Sequence, residues 1–200
     1  MQNNTQWNEF IETHPRYLNA SFNSCDDSLM QLMGAFKIMI QKNDTRGLII
    51  SGDPGTGKTY FLMAAINELF INHKMKNDPN HFVYSSEESL FSQLKSLMDY
   101  NNSGVETHRI ISWMQKCQIL FYDDLGASIS SERPWGRDVL FQIINHRYEN
   151  NLTTFLTTNL SSVEMRERIG PRTADRINDM HKVMLGGCSK RGRFWLDEIN

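Results

Sequence analysis

A glycine-rich loop at residues 52–59 constrains the fold of this chain more than any other feature. An apolar run, residues 48–50, precedes the loop and a helical pattern follows it, which is the structural context that a phosphate-binding loop requires. The loop reads Gly52-Asp53-Pro54-Gly55-Thr56-Gly57-Lys58-Thr59. Glycines at this spacing let backbone N–H groups curl around phosphates, while Lys58 reaches the β and γ oxygens and the Thr59 hydroxyl ligates Mg²⁺. Because the helix points its positive end at the same phosphates, the loop and Tyr60 are predicted to bind a nucleotide.

The composition indicates one domain without a membrane segment. The 200 residues, 40% of them hydrophobic, are enough for one sizeable core and too few for two full domains. The three cysteines, Cys25, Cys117 and Cys188, form no C-x-x-C pair, so neither a disulfide framework nor a zinc site is supported. The chain starts without the segments of a secretion signal, and no apolar run is long enough to span a membrane. We therefore expect a soluble cytoplasmic protein, and its net charge of −2 argues against coating DNA through bulk electrostatics.

Hydrophobic patterns predict strands that alternate with helices. Residues 16–22 are expected to be extended, and a helix with one apolar face follows from about residue 26 to residue 40. Strands are predicted near residues 48–50, 81–84, 119–122, 152–157 and 182–185. The segments between successive strands have helical patterns. This alternation indicates an α/β fold in which a five-stranded parallel sheet carries helices on both faces, with the carboxyl ends of the strands along one edge.

An apolar strand is followed by two adjacent carboxylates. Residues 119–122 are apolar throughout and lead directly into Asp123-Asp124. In Mg²⁺-dependent nucleotide hydrolysis the first carboxylate holds the hydration shell of the metal and the second polarises the attacking water. Asp124 could instead cap a helix or a turn, since aspartates at strand ends often do so. The fourth strand leads into Asn159, whose amide could hold the attacking water; alternatively, Asn159 is a helix N-cap or a turn residue.

An ordered set of motifs resembles one known family. In chain order the motifs are Arg16-Tyr17 with Phe22, the glycine-rich loop, and residues 119–126, 143–148, 157–160, 170–172 and 175–177. Together they resemble the AAA+ ATPases of the DnaC/DnaI/IstB group, which are bacterial replicative-helicase loaders and transposition helper ATPases. The resemblance covers residues 15–191. It implies an AAA+ P-loop fold in three layers, with residues 16–200 as the ATPase domain and residues 1–15 as a short N-terminal extension.

The resemblance also implies a role for each candidate residue of the ATP site. Lys58 and Thr59 would belong to Walker A, Asp123 and Asp124 would form Walker B, and Asn159 would be sensor 1. ATP and Mg²⁺ would be the ligands.

Three arginines fall where the family carries functional arginines. Arg172 falls at the position of the arginine finger, which reaches the ATP of a neighbouring subunit, so turnover would need self-association. Arg191 falls at the sensor 2 position after the last strand and would bind the nucleotide. Arg176 is the family's neighbouring arginine and could equally be structural. The fixed cation and forked donors of arginine match phosphate oxygens.

The family also places a nucleic-acid-contacting helical insert between the second strand and Walker B, which corresponds here to residues 86–116. Tyr100 and Asn101 lie at the turn of this insert, and an exposed aromatic ring there could stack on a base of single-stranded DNA. The insert carries few basic residues, so the alternative for Tyr100 is a half-buried ring.

The implied function is that of an ATP-binding, slowly hydrolysing AAA+ protein that assembles on single-stranded DNA and loads or recruits a replicative helicase. Asp124 stands where AAA+ proteins at large carry glutamate. An aspartate at this position occurs within the DnaC/DnaI/IstB group and suggests slow turnover. Alternatives are a transposase-helper ATPase and a non-hydrolysing, ATP-dependent interaction module of phage or mobile-element origin. A small-molecule kinase is disfavoured because kinases lack this succession of motifs. The N-terminal extension has Trp7, Phe10 and Ile11 on one helical face and could dock a partner.

Overall fold

Five parallel strands form one sheet in the part of the chain that the structure describes. The computed structural model describes residues 13–22, 27–42, 44–72, 81–99, 103–129 and 134–186. The strands are β1 (Leu48–Gly52), β2 (Phe82–Ser86), β3 (Ile119–Asp123), β4 (Thr153–Thr158) and β5 (His181–Leu185). They lie in the order β2-β3-β4-β1-β5, and every neighbouring pair is parallel. The predicted α/β fold with a five-stranded parallel sheet is confirmed.

Seven α-helices connect or flank these strands within the described ranges. They are α1 (Asp27–Gln41), α2 (Lys58–Asn72), α3 (Glu87–Asp99), α4 (Ser103–Lys116), α5 (Pro134–Glu149), α6 (Ser162–Ile169) and α7 (Pro171–Asn178). The helices predicted between the strands are present. None of the helices in these ranges has the length and apolar character needed to cross a membrane.

The segment before α1 differs from the expectation. Residues 16–22 were expected to be extended, but Pro15–Tyr17 is a 3-10 helix with proline at its start, where the fixed φ of the ring suits a helical turn. The N–H of Ala20 donates to the carbonyl oxygen of Tyr17 at 2.9 Å and continues the turn. Ala20 and Phe22 are buried in the core. The extended assignment was wrong because packing of these residues against the core overrides the local pattern.

Two hydrophobic clusters fill the two faces of the sheet. One face is covered by α1 and α2, and its buried residues include Phe36, Phe121 and Phe155. The rings of Phe121 and Phe155 stack across β3 and β4 with 5.1 Å between their centroids. Successive residues of a strand point to opposite faces, so Leu120 and Leu156 belong to the second cluster, under helices α3 to α7. The sheet is therefore the middle of three layers.

The carboxyl ends of the strands meet along one edge of the sheet. In the parallel register Ser51 of β1 pairs with Thr158 of β4, and Gly52 pairs with Leu185 of β5. Asp123 ends β3 at the same edge. The loops and side chains that follow these strands therefore converge there, as they do at the ligand-binding edge of open α/β sheets.

A buried arginine joins several elements at the opposite edge of the sheet, where the strands begin. Arg147, near the end of α5, is 1% exposed. Its guanidinium donates hydrogen bonds to the carbonyl oxygens of Met114 at 2.9 Å, Cys117 at 2.8 Å and Thr153 at 2.6 Å. Burial lowers the pKa of Arg147, while the nearby Cys117 thiol raises it. This residue of the 143–148 motif has a structural role, because it ties α4 and α5 to the segments that lead into β3 and β4.

Candidate active site

The glycine-rich loop leaves β1 at Gly52 and enters α2 at Lys58. Gly52 has a φ of 152°, and a Cβ built there would lie 2.3 Å from the carbonyl oxygen of Leu185 in β5. A larger residue would therefore collide with the backbone of the neighbouring strand. Farther along the loop, the Thr56 hydroxyl donates to the carbonyl oxygen of Asp53 at 2.9 Å and closes the turn.

Lys58 lies inside the loop. Its Nζ donates to the carbonyl oxygens of Gly52 at 2.8 Å and Asp53 at 2.9 Å, and the residue is 5% exposed. The ammonium is therefore next to the first turn of α2, where backbone N–H groups and the helix dipole attract anions. A cation and a helix start at one place suit the phosphates of a nucleotide.

Three hydroxyl groups hold the first of the two aspartates. The Thr59 hydroxyl donates to Oδ2 of Asp123 at 2.8 Å, and the Tyr84 hydroxyl donates to the same oxygen at 3.2 Å. The Thr157 hydroxyl donates to the other oxygen, Oδ1. Burial and the charge of Asp123 raise the pKa of Tyr84 well above its usual range, so its hydroxyl keeps its proton and donates. The structure thus brings Thr59 of the loop and Asp123 of β3 into direct contact.

Asp124 occupies a turn directly after β3. Its φ is 56°, a left-handed conformation that aspartate tolerates better than most residues. Its N–H donates to the Thr157 hydroxyl at 2.9 Å, and its carbonyl oxygen accepts from the N–H of Ala127 at 3.0 Å. The backbone of Asp124 therefore belongs to a turn. The residue is half-buried at the strand end.

Asn159 is exposed immediately after β4. It does not cap α6, because Ser161 occupies the N-cap position and forms a capping box with Glu164. The alternative that Asn159 is an N-cap is therefore wrong. The preceding residue, Thr158, donates through its hydroxyl to the carbonyl oxygen of Leu125 at 2.9 Å, which holds the backbone before Asn159 beside the turn that follows β3.

The oxygen atoms around Asp123 suit Mg²⁺. In nucleotide sites Mg²⁺ usually keeps several waters and binds one or two protein oxygens together with phosphate oxygens. Thr59 Oγ1 and Asp123 Oδ2, which lie 2.8 Å apart, are donors of this kind. The described ranges contain no group of three or more His, Cys, Asp or Glu side chains that could hold a metal ion. This donor set fits an ion that arrives with a nucleotide.

Comparison with known families decides the affiliation of the chain. A family model described as IstB-like ATP binding protein matches residues 21–194. The chain belongs to the IstB-like ATP binding proteins. The resemblance to the DnaC/DnaI/IstB group of AAA+ ATPases is thereby confirmed.

One curated relative and two solved structures show the same likeness. The chain is 24% identical to the replicative helicase loader DnaC of Escherichia coli (strain K12) over 168 residues, which are 82% of this chain and 64% of DnaC. The chain therefore spans less than two thirds of that relative. A crystal structure of the DnaC helicase loader matches with a TM-score of 0.67 at 23% identity and covers 86% of this chain and 99% of that one. The replication initiator DnaA bound to AMPPCP and single-stranded DNA gives a TM-score of 0.68 at 17% identity over 92% and 55% of the two chains.

The two arginines of α7 in this IstB-like protein have different surroundings. Arg172 is exposed at the start of the helix, 5.9 Å above the ring of Phe141. Within the described part of the chain its guanidinium has no hydrogen bond or ion pair. Arg176 is half-buried, donates to Oδ1 of Asn145 at 3.0 Å and lies 5.7 Å above the ring of Tyr148. These contacts favour the structural alternative for Arg176 and leave Arg172 accessible.

The sequence patterns did not single out Glu87, and they included Thr157 only as the first position of the 157–160 motif. Glu87 begins α3, is fully buried, and accepts a hydrogen bond from the N–H of Gly126 in the turn that follows β3. Burial raises the pKa of Glu87 to about 7, although the N–H groups of residues 126–129 lower it. No sequence signal distinguishes Glu87 from an ordinary acidic residue in the first turn of a helix.

The side chain of Tyr60 faces away from the phosphate-binding loop, and three other predicted site residues lie outside the described residues. The backbone of Tyr60 belongs to the first turn of α2, and its hydroxyl accepts from the N–H of Ser21 at 3.2 Å, so the side chain is directed toward the N-terminal segment. Arg191, Tyr100 and Asn101 lie outside the described residues, as does the proposed docking helix.

Proposed function

We propose that this chain binds and slowly hydrolyses ATP, assembles on single-stranded DNA, and loads or recruits a replicative helicase. The observation that carries the enzymatic part is the contact between Thr59 and Asp123, because it joins Walker A to Walker B at the sheet edge beside Lys58. The relationship to the helicase loader DnaC supports the partner. The likeness to DnaA bound to single-stranded DNA supports the nucleic acid. Residues 16–200 are the proposed ATPase domain, and a cytoplasmic location stays a prediction.

Each site residue has a separate task in the proposed reaction. The loop N–H groups and Lys58 bind the phosphates and neutralise their charge. Mg²⁺, held through Thr59 and Asp123, would stabilise negative charge on the phosphate oxygens when bound. Asp124 polarises the attacking water, and the exposed amide of Asn159 orients it. Because aspartate is one methylene shorter than glutamate, we propose that Asp124 activates this water less well and that turnover is slow.

Arg172 is the proposed finger for the ATP of a neighbouring subunit. Its exposure on α7 supports this role, since a finger has to leave the surface of its own subunit. An arginine delivered in trans can raise phosphoryl-transfer rates by ~10³–10⁵. The site formed by Gly52–Lys58, Asp123 and Asp124 is then half of a composite site, and hydrolysis depends on assembly.

A second candidate is a transposase-helper ATPase, which the IstB-like family affiliation favours. It has the same nucleotide chemistry and differs in the protein that it recruits. A third candidate, an interaction module that binds ATP without turnover, differs in the absence of hydrolysis.

ATP hydrolysis at several protein concentrations tests the enzymatic proposal. We expect a specific activity that rises steeply with protein concentration and is stimulated by single-stranded DNA. Lys58→Ala should abolish nucleotide binding, because it removes the cation inside the loop. ATP binding without turnover, with or without DNA, would instead support the interaction module.

Affinity capture from a bacterial lysate in the presence of ATP tests the partner. We expect recovery of a hexameric replicative helicase with wild-type protein and its loss with Lys58→Ala. Recovery of a transposase would replace the loader proposal with the helper alternative.

A further inference from the structure

The inner end of the nucleotide site contains a hydroxyl that none of the predicted roles uses. Oδ2 of Asp123 accepts two hydrogen bonds, one from Thr59 at 2.8 Å and one from Tyr84 at 3.2 Å. Thr157 bonds to the other oxygen. A carboxylate has about four lone-pair positions, so protein donors occupy most of them and leave little freedom for the group to rotate.

Tyr84 differs from Thr59 in what surrounds it. Thr59 begins α2 and belongs to the phosphate-binding loop, whereas Tyr84 stands in β2, the strand next to β3. Its ring packs against the cluster under α1 and α2. On the side of the N-terminal segment it meets the edge of the His14 ring, with 5.1 Å between centroids and an angle of 88°. The strand, the core and His14 together fix the direction of the hydroxyl.

We propose that Tyr84 is a positioning residue for the magnesium-nucleotide site. Its hydroxyl holds the Asp123 carboxylate so that this group faces the Mg²⁺ ion that Thr59 would also bind. The inference rests on the proposed function. With Mg²⁺ bound, Thr59 and Asp123 would both hold the ion, and the Tyr84 hydroxyl would still donate to Oδ2 of Asp123 from the side of β2. With its second donor lost, Oδ2 would be held from the loop side alone, and the carboxylate could turn away from the ion.

The substitution Tyr84→Phe tests this role with the smallest possible change. It removes one hydroxyl and leaves the ring, its contact with His14 and the packing of β2. Binding of a fluorescent ATP analogue is measured first in EDTA and then across a titration with Mg²⁺. We expect unchanged affinity in EDTA and a Mg²⁺ concentration for half-maximal effect that rises about 10- to 150-fold, as for the loss of one hydrogen bond to a charged group.

Tyr148→Phe is the matched control. The Tyr148 hydroxyl donates to Oδ2 of Asp179 at 2.7 Å, so this variant also removes one tyrosine-carboxylate bond, but at the opposite edge of the sheet. Its Mg²⁺ dependence should equal that of the wild type. A general loss of affinity in Tyr84→Phe, in EDTA as well as in Mg²⁺, would show a merely structural role and overturn the proposal.

A second variant, His14→Ala, retains the hydroxyl but removes one support of the ring. We expect it to shift the Mg²⁺ dependence in the same direction by a smaller factor, about 2- to 4-fold, as for a weak ring contact. If Tyr84→Phe does not fold, an unchanged Mg²⁺ dependence in His14→Ala overturns the proposal. A wild type that binds no nucleotide would refute the proposed function itself, whereas normal binding with identical Mg²⁺ curves for wild type and Tyr84→Phe refutes only the role of Tyr84.

Discussion

At the scale of single residues, one threonine hydroxyl serves both aspartates of the site. The Thr157 hydroxyl donates its proton to Asp123 and accepts the N–H of Asp124 at 2.9 Å. The residue is fully buried, so neither bond is exchanged easily with water. The same oxygen atom therefore sets two features of the site. It positions the Asp123 carboxylate, which would hold the metal, and it fixes the turn that contains Asp124.

Thr157→Val should separate ATP binding from hydrolysis. Valine has nearly the same shape but neither donates to Asp123 nor accepts from Asp124, and the buried N–H of Asp124 loses its partner. We expect the hydrolysis rate to fall about 10- to 100-fold, a loss of roughly 1.4–2.7 kcal/mol in transition-state stabilisation, with ATP affinity changed less than 3-fold. Thr153→Val, at the start of the same strand, should hydrolyse ATP at the wild-type rate. Equal rates in both variants would contradict the role of Thr157.

Glu87 should make the stability of the protein depend on pH. Its pKa is raised from 4.5 to about 7 by burial, so the folded chain keeps a proton that the unfolded chain releases. The stabilisation from this group is fully present below pH 4.5 and is lost as the pH rises through about 7. From pH 4.5 to pH 8 we expect this group to lower the free energy of unfolding by about 1–3 kcal/mol.

Urea unfolding of wild type and Glu87→Gln at a series of pH values measures this contribution. Glutamine does not titrate, so the variant should lose this part of the pH dependence. Glu88→Gln, on the exposed neighbour, is the control and should keep the wild-type slope. If the free energy of unfolding of Glu87→Gln changes with pH as steeply as that of the wild type, the raised pKa of Glu87 does not cause the pH dependence.

At the scale of elements, α6 and α7 connect the turn after β3, residues 124–127, to the surface that carries Arg172. The Arg168 guanidinium of α6 donates to the carbonyl oxygen of Gly126 at 3.2 Å, and Arg137 of α5 donates to the carbonyl oxygen of Glu167 at 2.7 Å. The short turn at Gly170 then leads directly into α7. We therefore expect a displacement of the turn after β3 to move α7, the helix that carries the proposed finger Arg172.

Arg172→Ala should reduce ATP hydrolysis, whereas Arg176→Ala should reduce the stability of the fold. Arg172 is exposed, so its loss should leave the melting temperature within about 1 °C, as for surface substitutions, but reduce hydrolysis about 10³-fold or more at every protein concentration. Arg176 bonds to Asn145 and packs over two rings, so its loss should lower the melting temperature by several degrees. Thermal unfolding and ATPase assays on both variants check this. Full activity of Arg172→Ala would rule out its role as the finger.

At the scale of the whole molecule, the two edges of the sheet have separate tasks. The carboxyl edge gathers the nucleotide-site residues, and the opposite edge is joined by Arg147, which donates to five backbone carbonyl oxygens. Function and stability should therefore be separable by mutation.

Arg147→Met should destabilise the protein without changing the site. Methionine fills much of the same volume but leaves several buried carbonyl oxygens without a donor, at about 1–3 kcal/mol each. We expect the free energy of unfolding to fall by about 3 kcal/mol or more, measured by urea denaturation, while ATP affinity at low temperature stays within 2-fold. A large loss of affinity in the folded variant would contradict the separation of the two edges.

Local patterns predicted most of this molecule, but contacts between distant residues were not predictable. The sequence patterns were sufficient for all five strands, and most directly for β1 and β3, because strands buried on both faces are continuously apolar. The segment 16–22 was mispredicted since Ala20 and Phe22 are positioned by core packing. Thr157 and Asp123 are 34 positions apart, and Glu87 and Gly126 are 39 apart. Pairs of this kind follow from strand order, which the sequence pattern does not specify.

The contact between Gly52 and Leu185 determines which part of the phosphate loop can move. A Cβ at Gly52 would lie 2.3 Å from the Leu185 carbonyl oxygen, so the backbones of β1 and β5 approach as closely as a residue without a side chain allows. The first residue of the loop is thereby clamped to the neighbouring strand. We therefore expect any rearrangement of the loop on nucleotide binding to occur after Gly52, with Gly52 itself keeping its place beside β5.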